Sequence, residues 1–408
     1  MHPVVVLLMG GFIFAKAIES CGLHERIALN VVARVGGSPS RLVGGFMIAA
    51  ALLSMWISNS ATAIMMTAIA LPVASAIEST NNGDRRNFKI ALLLGIAYAC
   101  SIGGLGTPIG TPTNLIVMGF INEQQNTDIG FVQWMLIGLP TVALMVPLAW
   151  VSLTRWSFRM PNLETEKASS EVRQRLNALG PMSNPEKRTL AVFALISIMW
   201  ISRNVLNDLS IEWGGELVTP LGGLTDHMIA ILAVFLCFLV PSGSTDSPEK
   251  KLLDWKAAEQ IPWGVLLLFG GGMSLAKAIS SSGLSSHLGE SLAVLAYLPV
   301  PVLVLLIAAA VLALTEICSN IATASALMPV LGAIALETQV PLVMMAAPVA
   351  LAASCAFMLP MATGPNAVAF ATDEISISTM AKAGLRVNLI AVAIIGMIAY
   401  SLAPLALG

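Results

Sequence analysis

SMWISNSATA (residues 54–63) and TEICSNIATA (residues 315–324) are one word written twice, 261 positions apart. The same offset carries AKAIESCGL (15–23) onto AKAISSSGL (276–284), and Gly10-Gly11 onto Gly271-Gly272, without a gap. Farther along, Thr111-x-x-Asn114 answers Thr363-x-x-Asn366 at an offset of 252, so nine residues are absent from the second copy. The polar loop Ser79 to Asn87 (STNNGDRRN) is the natural place for them. Short apolar words coincide often by chance, but one register held over about fifty residues marks an internal duplication.

The repeated words sit in a chain that avoids water. Of its 408 residues 56% are apolar and only 11% charged, and the mean hydropathy is +0.83. Soluble domains run nearer ~25% charged. Apolar stretches such as Ile90 to Met118 and Ala381 to Leu407 are long enough to cross a hydrocarbon layer of ~30 Å as helices. A net charge of −2 offers no basic face for nucleic acid. Cys21, Cys100, Cys237, Cys318 and Cys355 form neither a zinc spacing nor a disulfide framework. The N-terminus, MHPVVVLLMGGF, lacks a basic n-region and a small-residue cleavage site, so it reads as the start of a span.

Between the two Ser-Asn words the sequence predicts five spans, at about 91–118, 135–155, 189–207, 226–240 and 262–279. An odd number places the second copy upside down relative to the first. Cytoplasmic loops collect Lys and Arg, which tests the arrangement. Lys16 to Lys89 holds seven basic residues, Arg155 to Arg188 seven, Lys250 to Lys256 three, and Lys382 with Arg386 two, so 19 of 21 fall on alternate loops. Only Arg203 and Lys277 fall on the other side, where the loops Asn122 to Gln133 and Asn207 to Asp226 are acidic. The alternation holds only if the stretches around Ser58-Asn59 and Ser319-Asn320 each enter and leave by one face. The predicted fold class is therefore an all-α polytopic membrane protein of inverted repeats, with two re-entrant hairpins and two broken transmembrane helices. Residues 1–155 form the first repeat, with its hairpin at about 41–72 and its broken helix at about 91–118. Residues 156–188 are a cytoplasmic connection, and residues 189–408 form the second repeat, with its hairpin at about 300–335 and its broken helix at about 341–372.

A re-entrant tip or a broken helix leaves backbone groups unpaired in hydrocarbon unless it is buried in protein or lines a polar cavity. The chain therefore requires an interior site, and inverted repeats with interrupted helices point to a transporter that holds its substrate at the midplane. Each copy supplies a Ser-Asn tip and a Gly/Pro-broken span, GGLGTPIGTP (103–112) in the first and PMATGP (360–365) in the second. Every Lys and Arg lies in or beside a loop, so a bound anion is expected to rest on Asn amides, hydroxyls and helix N-termini. A co-transported cation would take backbone carbonyls at the interruptions with Ser54, Ser58, Thr315 and the Asn side chains, an oxygen set that suits Na⁺ and not a transition metal. Glu316, beside the second tip, is the clear carboxylate at membrane depth. It reads either as a coupling acid or as an acceptor that fixes the hairpin. His2, His24, His227 and His287 share no metal-binding spacing with Cys or carboxylates. No Gly-x-Ser-x-Gly word has His and Asp partners, so neither an enzyme nor an organic cofactor is expected.

At four of these words, SMWISNSATA (54–63), IGGLGTPIGTPTN (102–114), TEICSNIATA (315–324) and LPMATGPNAVAF (359–370), the chain resembles the divalent anion:sodium symporter family. The similarity runs across nearly the whole chain. The resemblance implies Na⁺-coupled carriage of dicarboxylates, citrate or sulfate. It implies a homodimer in the inner or plasma membrane, with a scaffold domain and a transport domain that moves like an elevator. It also implies one sodium site at Ser54, Ser58, Asn59 and Gly110, and a second at Thr315, Cys318, Asn320 and Ala362, with Cys318 and Ala362 acting through their carbonyls. By the same carry-over Asn59, Ser60, Thr111, Asn320 and Thr363 contact the substrate carboxylates. Two positions depart from the family's pattern: Ile321 stands where Thr is common, which removes a hydroxyl, and Gly364 stands for a proline, which loosens that turn.

The expected function is uptake of a small divalent anion, a C4-dicarboxylate first, driven by sodium entry. A sulfate symporter, a dicarboxylate exchanger, and a receptor-like copy without flux are the rivals. Applying the offset of 261, the spans ahead of Trp263 to Leu284 have first-copy counterparts upstream of Met1. The sequence accordingly reads as shortened at its N-terminus by roughly 60–90 residues, at ~20 residues per span plus loops.

Overall fold

The computed structural model describes residues 3–35, 37–77, 82–160, 163–213, 216–244, 249–283 and 297–407. Three of the readings above fall partly outside it: His2 and His287, Ser79 to Asn81 of the polar loop, and Leu284 of the repeated AKAI word. Among the described residues the chain is nearly all helical, with 18 α-helices. The exception is a small antiparallel ribbon that pairs Ile211–Trp213 with Glu216–Val218. It lies in the acidic stretch after Asn207, which hydropathy alone presents as a plain loop.

Among the described residues six helices are long and apolar enough to cross a bilayer: Pro3–Ser20, Gly83–Gly106, Phe131–Ser157, Asn184–Asn207, Asn320–Thr338 and Ile377–Ser401. Leu195, Ile198, Ile201 and Val205 of the fourth are exposed on the outside, a continuous apolar surface that water would penalise and a bilayer accepts. The chain is an integral, multi-pass membrane protein. Gly83–Gly106 differs from the others in being 94% buried, which makes it the centre of the molecule.

The repeated words mark the places where helices stop. Pro39–Ser54 and Asn59–Ser75 are joined by Met55 to Ser58, and Val300–Thr315 and Asn320–Thr338 by Glu316 to Ser319. Asn82–Gly103 passes through a 3₁₀ turn, Gly104–Gly106, and restarts as Pro112–Gln125. Leu342–Ala353 stops and restarts as Gly364–Phe370. Local chemistry explains the first break: Thr107 and Thr111 each precede a proline and are extended, at φ −133°, ψ 159° and φ −145°, ψ 141°. A residue before proline is driven out of the helical region, and Pro108 has no N–H with which to continue a helix.

Packing ties the halves together. Pro39–Ser54 lies on Asn82–Gly103, as Val300–Thr315 lies on Leu342–Ala353. The second arms cross over: Asn59–Ser75 rests on Gly364–Phe370, and Asn320–Thr338 rests on Pro112–Gln125. Each Asn-initiated helix is thus seated on the interrupted helix of the other half. The close approach of Pro39–Ser54 to the central helix depends on Gly103, where a Cβ would run into the backbone of Ala51. In the connection, Glu166–Ala178 is helical and packs on Leu23–Val35. Ser183 and Glu186 then form a capping box that opens Asn184–Asn207, and Glu186 also receives Arg26 at 2.6 Å. His24 Nδ1 lies 3.3 Å from Ile18 O, and His227 Nε2 lies 3.1 Å from Thr225 Oγ1.

Candidate functional site

At the first tip, Ser54 Oγ donates to Asn59 Oδ1 at 2.5 Å. At the second, Thr315 Oγ1 donates to Asn320 Oδ1 at 2.6 Å and also reaches Ala353 O at 2.8 Å. The two contacts occupy matching positions, 261 residues apart. In each the amide oxygen is turned back toward a buried hydroxyl, which leaves the Asn Nδ2 donors free of any partner among the described residues. The hydroxyl, having given up its hydrogen, keeps lone pairs for a cation.

The breaks are stitched by a second matching pair. Asn114 Nδ2 donates to Gly104 O and Thr107 O at 3.0 and 2.8 Å. Asn366 Nδ2 donates to Ala356 O and Leu359 O, both at 3.0 Å. Every one of these positions maps onto its mate at the offset of 252. Both amide oxygens, Asn114 Oδ1 and Asn366 Oδ1, are buried and have no partner among the described residues.

Tip and break are also joined in each half, by different chemistry at equivalent positions. In the first, Thr107 Oγ1 donates to Met55 O at 2.5 Å, and Trp134 Nε1 donates to Leu105 O at 3.0 Å. In the second, the mate of Met55 is Glu316. Its carboxylate accepts from the backbone N–H groups of Phe357, Met358 and Leu359 at 2.9 to 3.2 Å. Asn388 Nδ2 donates to it at 2.6 Å. Of the two roles offered by the sequence, this geometry favours the acceptor that fixes the structure. The donors it satisfies are those that the break in Leu342–Phe370 would otherwise orphan.

Tips and breaks meet at one cavity of about 630 Å³. Three helices of at least 14 residues, Asn59–Ser75, Pro112–Gln125 and Asn320–Thr338, begin at its wall. Their first N–H groups have no intrahelical acceptor and carry partial positive charge. Asn59, Ser60, Thr111, Asn320 and Thr363 all line the cavity, as do Ser58, Gly110 and Ala362. Ser54 and Thr315 do not line it; they are fully buried one layer behind, holding the two Asn side chains. Cys318 is exposed and stands outside the wall.

Several wall residues escaped the sequence reading. Ser319 lines the cavity and is the repeat mate of Ser58, so the offset alone pointed to it. Ser354 lines it and pairs with Thr113 at 2.9 Å, a polar contact between the halves. Lys16 and Glu19 line it as an ion pair at 3.2 Å, although Lys16 had been assigned only to a loop margin. Gly364 lies against the first tip: a Cβ there would meet Ser60 Oγ, which would have to turn away.

Residues 1–406 match the family model described as the sodium:sulfate symporter transmembrane region. The chain is 40% identical over 412 residues to the sodium-dependent dicarboxylate transporter SdcS of Staphylococcus saprophyticus, with all of this chain and 78% of the relative covered. It is 38% identical to the protein of the same name from Staphylococcus aureus, with the same coverage. Among solved structures it is similar to the YdaH transporter of Alcanivorax borkumensis, at a TM-score of 0.61 and 15% identity over 98% of this chain and 84% of that one. MtrF of Neisseria gonorrhoeae gives 0.61 and 12% over 98% and 80%. At those identities the two structures speak for the fold alone.

Proposed function

The chain belongs to the sodium:sulfate symporter family, and we propose that it couples sodium entry to uptake of a small dicarboxylate. The observation that carries this reading is the convergence of both Ser-Asn tips and both helix breaks on one cavity. Its volume falls within the ~300–1,000 Å³ range of small-molecule sites. The relatives named as sodium-dependent dicarboxylate transporters favour a C4-dicarboxylate over sulfate.

At the tips and breaks the substrate carboxylates rest on neutral donors: Asn59 and Asn320 Nδ2, the hydroxyls of Ser60, Thr111 and Thr363, and the helix N-termini beside them. Neutral donors release an anion more readily than a buried cation would. One sodium ion is carried at Ser54, Ser58, Asn59 and the Gly110 carbonyl. The other is carried at Thr315, Asn320 and the carbonyls of Cys318 and Ala362. Both Asn residues belong to a cation site and to the anion site, so each charge offsets the desolvation of the other; this is the proposed source of coupling.

The two helix–tip–helix units re-enter the membrane from opposite faces, and the halves are inverted repeats. The tips and broken helices form a transport domain that moves as an elevator against a scaffold in a homodimer. The crossed packing of each Asn-initiated helix on the other half's broken helix supports their moving as one body. Uptake of labelled succinate and sulfate into proteoliposomes, with and without an inward sodium gradient, tests the reading. Sodium-driven succinate accumulation is the expected result. Sulfate accumulation alone would reassign the substrate, and binding without flux would overturn transport.

A further inference from the structure

We propose that Lys16 is a substrate-contacting cation at the mouth of the cavity, held by Glu19 until an entering dianion displaces it. The inference rests on reading the cavity as an anion site and adds a residue that none of the repeated motifs contains. Lys16 and Glu19 lie one turn apart on Pro3–Ser20, and Nζ stands 3.2 Å from Glu19 Oε2. Both line the cavity that Asn59, Thr111, Asn320 and Thr363 also line, and among the described residues they are the only charged ones that do. Their side chains keep 29% and 19% of their exposure, so the pair is partly open on the cavity wall.

Glu19 offers Lys16 the functional group that a dicarboxylate offers. A dianion brings two such groups. Its attraction to Lys16 therefore exceeds that of the single Glu19 carboxylate, and it repels Glu19 at the same time. The exchange breaks one ion pair and forms another, with no net proton movement. In the second copy the mate of Lys16 is Lys277 and the mate of Glu19 is Ser280. Lys277 is exposed and has no carboxylate partner among the described residues. The cation recurs where the mate of Glu19 is a serine, so a lysine at this position does not require a carboxylate three residues on.

Sodium-driven succinate uptake by the full chain in proteoliposomes tests this with Lys16→Gln, Lys16→Arg and Glu19→Gln. Lys16→Gln is expected to raise the half-saturating succinate concentration roughly twofold to fivefold, as fits a charge contact in a half-open cavity. The maximal rate and the half-saturating sodium concentration should stay near wild type. Glu19→Gln should shift the succinate value the opposite way, and Lys16→Arg should restore it. Added choline chloride should raise the wild-type value and narrow the gap to Lys16→Gln, because salt screens exposed charges. An unchanged half-saturation in Lys16→Gln beside an active wild type overturns the inference and leaves the functional reading standing. If Lys16→Gln does not fold, a Glu19→Gln variant with unchanged or weakened succinate affinity overturns it equally. Absence of uptake by the wild type, measured in the same preparation, overturns the functional reading and the inference with it.

Discussion

Glu316→Gln keeps the length and shape of the side chain and removes one acceptor. Oε1 serves Phe357, Met358 and Asn388, and Oε2 serves Met358 and Leu359. A glutamine in its better orientation keeps its oxygen on the Oε1 side and turns its NH₂ toward the N–H groups of Met358 and Leu359. Leu359 N then faces a donor in place of its acceptor, in surroundings where Glu316 is only 6% exposed. Hydrogen bonds to a charged group are worth ~1.5–3 kcal/mol, and a buried donor left unsatisfied costs about 1–3 kcal/mol. The expected loss is on the order of 3–5 kcal/mol. The damage falls on the segment that leads to Ala362 and Thr363, while the first half, where Thr107 makes the equivalent link to Met55 O, is untouched.

The purified variant should therefore melt several degrees lower in detergent and show weakened sodium and succinate half-saturation together, because one displaced segment carries groups for both. A coupling acid would behave differently. Its neutral analogue would keep the wild-type melting temperature and dissociate succinate flux from the sodium gradient. A Glu316→Gln protein with wild-type melting and wild-type sodium dependence would refute the account of Glu316 as the link between tip and break.

Asn59→Ala and Asn320→Ala should each abolish transport while the protein still elutes as a folded species; wild-type flux in either would remove the tips from the site. Ser325→Ala is the matched control, since Ser325 Oγ is buried without a partner among the described residues and its loss should be silent in both uptake and melting. Ser54→Ala and Thr315→Ala should raise the half-saturating sodium concentration more than the succinate value. Thr315 Oγ1 shares its one hydrogen between Asn320 Oδ1 and Ala353 O, so Thr315→Ala should also lose about 1 kcal/mol of stability, and its melting temperature is the discriminating measurement. Asn114→Asp and Asn366→Asp replace a donor shared by two carbonyls with an acceptor. Each should cost about 2–4 kcal/mol, and a wild-type melting temperature in both would show that the stitches across the breaks carry no stability.

The interruptions were legible in the sequence because their causes are local. Thr107-Pro108 and Thr111-Pro112 end a helix by the sterics of adjacent residues, and the recurrence of SNxATA announces that a helix begins anew at Asn59 and Asn320. What fills the gap left by an interruption is a long-range matter, and there the sequence was silent. Nothing in the neighbourhood of Glu316 says that its partners are 41 to 43 residues downstream. The wall position of Lys16 is set by the packing of Pro3–Ser20 against other helices, not by its neighbours in the chain. The repeat offers a remedy for part of this silence. Met55 and Glu316 are mates, and Thr107 and Leu359 are mates, so the link from Thr107 to Met55 O predicts some link between Glu316 and Leu359 before any partner is known. The chemistry of that link differs, a hydroxyl on a carbonyl in one half and a carboxylate on backbone N–H groups in the other, while the matched positions touch in both. Equivalence under the offset is therefore a guide to geometry in both halves, while the charge placed there, at Glu316 and at the Lys16–Glu19 pair, is where the two halves have diverged.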